Sequence, residues 1–275
     1  MVSTGFVSLL TAAAAAVSAA PLNAAAPLAN VELPLNATET ADRSLRNGEM
    51  VVFGFEGRTH IVTEDTWNLL LKTMNILPEP PAVDEEYLKA GDAFAAIPVN
   101  ETEATGLGKR DCSRDVQIVI DRTQRFVDWD VQMSPVIIGA GRAGIDITIA
   151  KYWSITNSIS VSAGLDFGLV KDRLKSSLGI DYTRSWTTQQ GYLIRGTVDD
   201  GYTGVVVSRP WTNRRYGRTF QGCVGNLRQT GTFMADSHEE GSYEGVSWVG
   251  GAITACIKRQ SSIPLSRCQG SGNFR

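Results

Sequence analysis

The sequence predicts a mainly β protein, an antiparallel β-sandwich or an elongated β domain, preceded by a signal peptide and a small α+β pro-segment. Three observations indicate this class. From residue 116 onward, runs rich in β-branched and aromatic residues alternate apolar and polar positions. Turn residues separate these runs, as at Asp199–Gly201. The stretch before residue 110 is acidic, begins rich in Pro and Ala, and has few strand-like runs.

The N-terminus has the pattern of a secretory signal peptide, residues 1–19. An apolar run of Leu, Val and Ala covers residues 6–17, and small residues lead up to Ala19. The pattern departs from the usual one because no Lys or Arg precedes the run. The run is too short to span a bilayer. We therefore predict cleavage after Ala19 and a secreted, extracellular protein.

Residues 20–110 have the composition of an acidic pro-segment that ends at the dibasic pair Lys109–Arg110. Residues 1–110 carry 7 Lys+Arg and 14 Asp+Glu, a net charge of −7, whereas residues 111–275 carry a net charge of +4. The pair follows a polar linker, and exposed linkers of this kind are where proteases cut. The sequence predicts a mature domain of residues 111–275 that binds its own pro-segment before maturation.

The pro-segment contains one organised stretch. A hairpin is predicted over residues 50–62, and Thr63 is placed to cap a helix that begins at Glu64. Four large apolar side chains then follow at helical spacing: Trp67, Leu70, Leu71 and Met74. A core of this size is marginal alone. We expect this stretch to fold against the mature domain.

All four cysteines follow the dibasic pair, and both N-glycosylation acceptors, Asn36 and Asn100, precede it. An even number of cysteines in a secreted protein indicates two disulfides, here with three possible pairings. The strands that end at Cys223 and Cys256 are joined through one acidic loop, which favours Cys223–Cys256 together with Cys112–Cys268. Two alternatives stay open: Cys112–Cys223 with Cys256–Cys268, and Cys112–Cys256 with Cys223–Cys268.

The mature part consists of strand-like runs with one helical interruption. The runs are "VQIVI", "RFVDWDVQMSPVII", "GIDITIAKYWSITNSISVSAGLDF", "GIDYTRSW", "GYLIRGTV", "YTGVVVSRP", "YGRTFQGCV" and "GVSWVGGAITACI". The interruption is "FGLVKDRLKSSL", in which Val170, Leu174 and Leu178 lie on one helical stripe.

A glycine motif at residues 139–144 resembles a dinucleotide fingerprint. Gly139, Gly141 and Gly144 fit G-x-G-x-x-G after an apolar run. Such a site requires that a helix follow, because the helix N-terminus meets the pyrophosphate. Here Ile145, Ile147 and Ile149 alternate with polar residues, which is typical of a strand. The motif therefore predicts a turn between strands and no cofactor.

Residues for catalysis or metal binding are sparse. Asp128 and Asp130 flank a tryptophan and would share one face of a strand, an arrangement that can hydrolyse glycosides but more often protects a sheet edge. His238 precedes acidic residues at 239, 240 and 244, where a solvated loop is favoured over a weak cation site. No serine-nucleophile elbow is present. We expect no enzyme, no catalytic residue and no metal, with a secreted glycan hydrolase as an alternative.

A basic cluster in "RPWTNRRYGR" is the predicted binding surface. Arginine combined with aromatic side chains is typical of interface anchors and can hold anionic polymers. The alternative is a solvated strand whose long side chains cover its aromatic neighbours. The six residues are Arg209, Trp211, Arg214, Arg215, Tyr216 and Arg218.

Several stretches resemble the Celp-type effector-like proteins, a family of small secreted proteins of plant-associated fungi. The stretches are "FVDWDVQMSPVIIGAG", "SISVSAGLDFGLVKDRLKSSLGIDYTRSWTT", "YTGVVVSRPWTNRRYGRTFQGCVG", "GVSWVGGAITAC" and "RCQGSG". The resemblance implies secretion and a host-associated role without catalytic residues. It therefore implies partners outside the cell: a host or cell-wall protein or glycan, with membrane lipid as a further candidate and no nucleic acid.

A second resemblance is to the membrane-insertion module of aerolysin-like toxins. It is carried by "TNSISVSAGLDF", "VKDRLKSSLGIDYTRSW" and "GTVDDGYTGVVVSRP". Ile155, Ile159 and Val161 would form one face of a strand, with Ser160 and Ser162 on the other, as a membrane barrel requires. The resemblance implies an elongated aerolysin-like β domain and a pore-forming toxin as an alternative function. A half-buried sheet shows the same alternation.

Overall fold

A computed structural model of the chain describes eight stretches of residues. These are 44–46, 48–55, 58–95, 116–149, 153–187, 194–223, 226–243 and 246–275. They belong to one compact unit, residues 33–275. Within them, none of the helices combines the length and apolar character needed to cross a membrane. The predictions for residues 1–19, Asn36, Asn100, Lys109–Arg110 and Cys112 lie outside the described residues and stay predictions.

The predicted mainly β fold is confirmed, and its sheets are largely antiparallel, as expected of a sandwich. The helices are α1 (Glu64–Thr73), α2 (Glu85–Ala95) and α3 (Phe167–Leu178). The strands are β1 (Ser44–Leu45), β2 (Glu49–Phe55), β3 (Arg58–Thr63), β4 (Val116–Val127), β5 (Val131–Gln132), β6 (Ile137–Ile138), β7 (Ile145–Thr148), β8 (Ser154–Thr156), β9 (Ser158–Val161), β10 (Ser185–Thr187), β11 (Arg195–Val198), β12 (Thr203–Gln221), β13 (Arg228–His238), β14 (Glu240–Tyr243), β15 (Val246–Val249), β16 (Gly251–Lys258), β17 (Leu265–Ser266) and β18 (Asn273–Phe274).

Strand β12 is the centre of the fold and changes partners halfway along its length. Its first half, residues 203–210, pairs with β16 on one side and with β5 and β6 on the other. Its second half, residues 211–221, pairs with β4 and β13. The change falls at Pro210, which has no backbone N–H to donate to a neighbouring strand. One strand therefore belongs to two ladders and connects them.

Both faces of the first half of β12 are buried. Val206 contributes to a core cluster that also holds Trp248 and Ile253. Val205 and Val207 point to the opposite side, into a second cluster completed by the C-terminal tail. A third cluster lies beside the second half of β12, where α3 packs its buried side chains against β13. The apolar run of β12 is therefore buried on both faces, because other elements cover both sides of the sheet there.

The predicted pro-segment, which the structure describes from residue 44 onward, is part of this fold. Strand β2 pairs with β16, and β1 pairs in parallel with β11. Val51 and Phe53 lie in the same core cluster as Trp248. The predicted hairpin is confirmed, and so is the helix cap, since the Thr66 backbone N–H donates to Thr63 Oγ1. The stretch folds against residues 116–275, as expected.

The glycine motif forms the predicted turn between strands. Strand β6 ends just before Gly139 and β7 begins just after Gly144. Gly141 and Gly144 have φ values of 77° and 70°, a backbone conformation that residues with a side chain rarely adopt. The predicted helix at "FGLVKDRLKSSL" is also confirmed as α3, although Leu178 is exposed and only Val170 and Leu174 form its buried stripe.

The favoured disulfide pairing is wrong. Cys256 is bonded to Cys268, which excludes both Cys223–Cys256 and Cys112–Cys268. Cys223 is also disulfide-bonded. The physical reason is the length of β12: Cys256 lies opposite Val205 near the start of that strand, whereas Cys223 follows its end. The hairpin of β12 and β13 therefore separates these two cysteines rather than joining them.

We expect the chain cleaved at Lys109–Arg110 to remain a single particle under native conditions. The pro-segment contributes β2 to the sheet, and releasing it would expose apolar core. Size-exclusion chromatography should give one peak that contains both fragments. Denaturing electrophoresis should separate them, because residues 1–110 contain no cysteine. A folded, monodisperse fragment 111–275 recovered alone would contradict this expectation.

Candidate binding face on the arginine-rich strand

The six residues of the predicted binding surface all lie on β12, but they do not form one open patch. Trp211 is 3% exposed and Tyr216 is 0% exposed. Arg209 and Arg214 form ion pairs with aspartates, and Arg215 donates to Ser237 Oγ. In this structure the aromatic members are interior residues.

Three residues of the cluster, Arg214, Tyr216 and Arg218, lie on one face of the sheet together with residues of the neighbouring strands. We call this surface the arginine face, and its other members are Arg122, Asp121 and Asp236. Alternate residues of a strand point the same way, which places the three β12 members together. Arg122 pairs with Tyr216 across the ladder from β4. Asp121 is the extra residue where the register of β4 shifts, and such a bulge re-aims its side chain.

Two bidentate ion pairs fix the ends of the arginine face. Arg214 Nε and Nη2 donate to Asp236 at 2.9 and 2.8 Å, and the arginine side chain is only 9% exposed. Arg218 Nε and Nη2 donate to Asp121 in the same way. Partial burial alone would raise the pKa of Asp121, but hydrogen bonds from Arg218 and Tyr87 hold it below its ordinary value. In each pair the two oxygens of the aspartate accept two hydrogen bonds, which holds the guanidinium plane in place.

Aromatic contacts occupy the middle of the face. The Arg122 guanidinium carbon lies 4.1 Å from the centroid of the Tyr216 ring, a cation–π distance. The Tyr87 ring meets Tyr216 edge-on at 5.3 Å. Arg214 lies over Phe126 at 4.9 Å. The sequence-based alternative, in which long basic side chains cover aromatic neighbours, therefore holds for part of the cluster.

Residues 78–95, within the predicted pro-segment, lie across the arginine face, and we call them the cover segment. The Pro81 carbonyl accepts from Arg214 Nη1 at 3.1 Å, and the Asp84 backbone N–H donates to the Tyr216 hydroxyl at 3.0 Å. The Asp84 carboxylate accepts from Arg122 Nη2 at 2.6 Å, and this hydrogen bond lowers the pKa of Asp84. The face thus holds a stretch of polypeptide through backbone and side chain alike.

The helix of the cover segment, α2, approaches the sheet at a glycine. A Cβ atom at Gly91 would collide with Thr232 Oγ1 and with Ser162. Thr232 Oγ1 lies 3.1 Å from the carbonyl oxygens of both Tyr87 and Leu88. Absence of a side chain at position 91 therefore allows the close contact between α2 and β13.

A second contact with the predicted pro-segment lies near the middle of β12. Trp211 stacks on Trp67 of α1, with ring centroids 5.7 Å apart and planes inclined by 4°. Both rings are buried. From the sequence we expected Trp67 in a small core of the predicted pro-segment and Trp211 on a binding surface. In the structure the two rings instead pack against each other.

The candidate acid pair is not arranged for hydrolysis. Residues 128–130 lie between β4 and β5 outside any strand, so the predicted placement of Asp128 and Asp130 on one strand face is wrong. The Asp130 side chain is 0% exposed and accepts from Arg209 Nε at 3.0 Å and from the Gln269 backbone N–H at 2.6 Å. Asp128 Oδ1 accepts from the next backbone N–H. The Asp130 carboxylate is therefore a buried structural anion.

Asp130 also lies beside Cys256 and Cys268, with potential ligand atoms within 4.8 Å of one another. A metal site would need thiolate sulfurs. The two sulfurs are bonded to each other, so this trio cannot supply them.

His238 ends strand β13 and is not part of a solvated loop, which corrects the sequence-based interpretation. Its Nδ1 lies 3.2 Å from the Trp211 carbonyl oxygen, and its ring meets Trp186 edge-on. Burial lowers the pKa of His238, although the Trp211 contact and the charges of Asp128 and Asp236 oppose the shift.

The neighbouring acids face basic or polar partners. Glu239 accepts from Asn213 and lies 3.8 Å from Arg125 Nη2, and Glu240 pairs with Arg184. Glu244 lies outside the described residues. The carboxylates of Glu239 and Glu240 are therefore engaged within the protein rather than grouped around His238 as a cation site.

The residues that carry the aerolysin-like resemblance alternate between exposed and half-buried positions only within the short strand β9. In β9, Ser158 and Ser160 are exposed, whereas Ile159 and Val161 are half-buried. The pattern ends at Ser162, which is buried and whose hydroxyl accepts from the Thr232 backbone N–H. Ile155 is buried in the separate strand β8.

Several residues that form or contact the arginine face were missed from sequence. Asp121 and Arg122 lie between the runs "VQIVI" and "RFVDWDVQMSPVII" that were read as strands, and Asp84 and Tyr87 lie in the predicted pro-segment. Their signal was weak, because a single charged residue in a strand has many uses. The excess of acids around residue 84 was the one usable hint.

No family model matches the chain, and neither the curated proteins nor the solved structures contain a significant match. The resemblance to Celp-type effector-like proteins therefore stays a prediction.

We expect Asp130→Ala to lower the free energy of unfolding by about 3–5 kcal/mol, because it leaves the guanidinium of Arg209 without its buried partner. Asp121→Ala is the matched control: its pair with Arg218 is 25–41% exposed, and a loss of about 1 kcal/mol or less is expected. Urea denaturation measures both. Equal losses of unfolding free energy in the two variants would contradict the view that burial makes the Asp130 pair the more important one for stability.

We expect the stability of the protein to fall more steeply on acidification than that of a His238→Gln variant. The unfolded chain protonates its histidines near pH 6.5, whereas partial burial lowers the pKa of His238 in the folded chain, so that it resists protonation. Below pH 6.5 the unfolded state therefore binds more protons, and the free energy of unfolding decreases. Thermal melts between pH 7 and 5 give the comparison. Parallel curves for the two proteins would refute it.

Proposed function

We propose that the chain is a secreted, non-catalytic protein that acts outside the producing cell by binding a host or cell-surface component, a protein or a glycan. The signal-peptide pattern of residues 1–19 supports secretion. The Cys256–Cys268 disulfide is compatible with an oxidising, extracellular setting. The resemblance to the Celp-type family supports a fungal origin and a host-associated role.

One observation carries the binding proposal: the arginine face already holds a stretch of polypeptide. Arg122, Arg214 and Tyr216 contact the cover segment through a carboxylate, a carbonyl and a backbone N–H. Arginine and tyrosine are the side chains that dominate binding energy at protein interfaces. A face with these side chains, fixed by bidentate ion pairs, is preorganised for recognition.

The positions of the candidate catalytic residues support a non-catalytic function. A general acid or base must lie within hydrogen-bond reach of a substrate. The Asp130 carboxylate instead binds Arg209 and a backbone N–H within the protein. The His238 ring contacts the Trp211 carbonyl and the Trp186 ring.

The test is binding of the labelled, secreted protein to plant cell-wall and plasma-membrane fractions. We expect saturable binding that unlabelled protein competes away, and no release of calcein from liposomes. Absence of saturable binding to both fractions would overturn the proposal.

Two further outcomes would favour the alternatives. Calcein release would favour an aerolysin-like pore-forming toxin. Turnover of a glycan panel that is abolished by Asp128→Asn or His238→Ala would favour a secreted hydrolase.

A further inference from the structure

We propose that the cover segment is a removable occupant of the arginine face, and that the partner which displaces it presents an acidic segment at the start of a helix, with a tyrosine three residues after an acidic residue. This inference rests on the proposed binding function and names the partner's chemistry.

The first support is the polar character of the contact. Among residues 78–94 only Gly91 is buried, whereas α1 buries Trp67, Leu70 and Leu71. The groups beneath the cover segment are mostly polar, including Ser162 and Thr232. The large aromatic side chain among them is Tyr216, which is 0% exposed beneath the cover segment. Exposed apolar surface makes the removal of an element costly, so the cost of uncovering this face is concentrated at the Tyr216 ring.

The second support is charge complementarity. The cover segment contains five acidic residues and one lysine, a net charge of −4. It lies on a face whose three arginines, Arg122, Arg214 and Arg218, and two aspartates give a formal net charge of +1, and it contacts Arg122 through the Asp84 carboxylate. Complementary charge of this kind steers association and sets which partners bind.

The third support is the spacing of the contacts. The Pro81 carbonyl, the Asp84 carboxylate and N–H, and the Tyr87 ring follow one another at intervals of three residues. The Tyr87 hydroxyl also donates to Asp121 Oδ2 at 2.5 Å. The "DEEY" sequence of residues 84–87 therefore defines the ligand: an acid for Arg122 and, three residues later, a tyrosine for Tyr216 and Asp121.

The chain before the cover segment is anchored where a hinge would be needed. The Leu77 N–H donates to the Arg125 carbonyl, and the Val127 N–H donates to the Leu77 carbonyl, each at 2.9 Å. These bonds attach Leu77 to the end of β4, and β2 holds the hairpin in the sheet. Cleavage at Lys109–Arg110 would free the other end. The cover segment would then be a flap that is tethered at Leu77.

The test uses the full chain with a loosened cover segment, Asp84→Asn together with Tyr87→Ala, and a fluorescein-labelled peptide of residues 78–95 as the probe. We expect saturable binding at least tenfold tighter than binding to the unmodified chain, because the peptide no longer competes with an intact tethered copy. Adding Arg122→Glu should abolish binding.

Glu85→Gln is the matched control. Glu85 pairs only with Lys89 of its own helix, and both side chains are about 70% exposed. This variant should bind the peptide no better than the unmodified chain. The inference is overturned if the loosened variant, folded by circular dichroism, takes up no peptide, or if binding survives Arg122→Glu.

Hydrogen exchange on the unmodified chain gives a measurement that does not depend on variants. We expect the α2 amides to exchange through local opening, well before those of α1 and β12. Exchange of α2 only with global unfolding would refute a removable cover segment.

The two proposals can fail separately. A protein that binds cell-surface fractions but takes up no peptide keeps the proposed function and loses this inference. A protein that takes up the peptide but binds neither fraction does the reverse.

Discussion

The partner change of β12 at Pro210 is the constraint on which the rest of the structure depends. A proline cannot continue a two-sided ladder, so the strand leaves β16 and joins β4 at that point. The buried pair of Arg209 and Asp130 lies beside this junction, and Asp130 also binds the C-terminal tail through Gln269. One anion thus connects the junction of the two ladders to the end of the chain.

The two halves of β12 relate differently to the pro-segment. Beside the first half, the pro-segment supplies a strand and apolar side chains, and its contribution is part of the core. Beyond Trp211, which stacks on Trp67, it covers residues 214–218 of the second half with an extended stretch and a helix held mainly by hydrogen bonds, an ion pair and one aromatic contact. The predicted pro-segment therefore combines a part built into the core with a part that is attached at the surface.

The sequence predicted what local physics determines. Period-two alternation identified the strands, Thr63 identified a helix start, and the residues after Gly144 identified a strand instead of a helix. Contacts between distant residues were not predictable in this way. The Cys256–Cys268 bond and the stack of Trp67 on Trp211 depend on which strands become neighbours, and periodicity does not report that. Only the β12 residues of the arginine face were identified from the sequence. The residues that they contact lie on β4 and in the predicted pro-segment, and the sequence pattern does not show which strands or segments become neighbours.

The glycine at position 91 makes the height of α2 above the sheet sensitive to a single methyl group. A Cβ there would meet Thr232 and Ser162, so the helix would have to rise from β13 or tilt. A rise would separate the backbone carbonyls of Tyr87 and Leu88 from the Thr232 hydroxyl. A single substitution at position 91 would thus push α2 away from the sheet. Such a change would alter the proportion of protein in which the arginine face is uncovered, without changing any residue that recognises a partner.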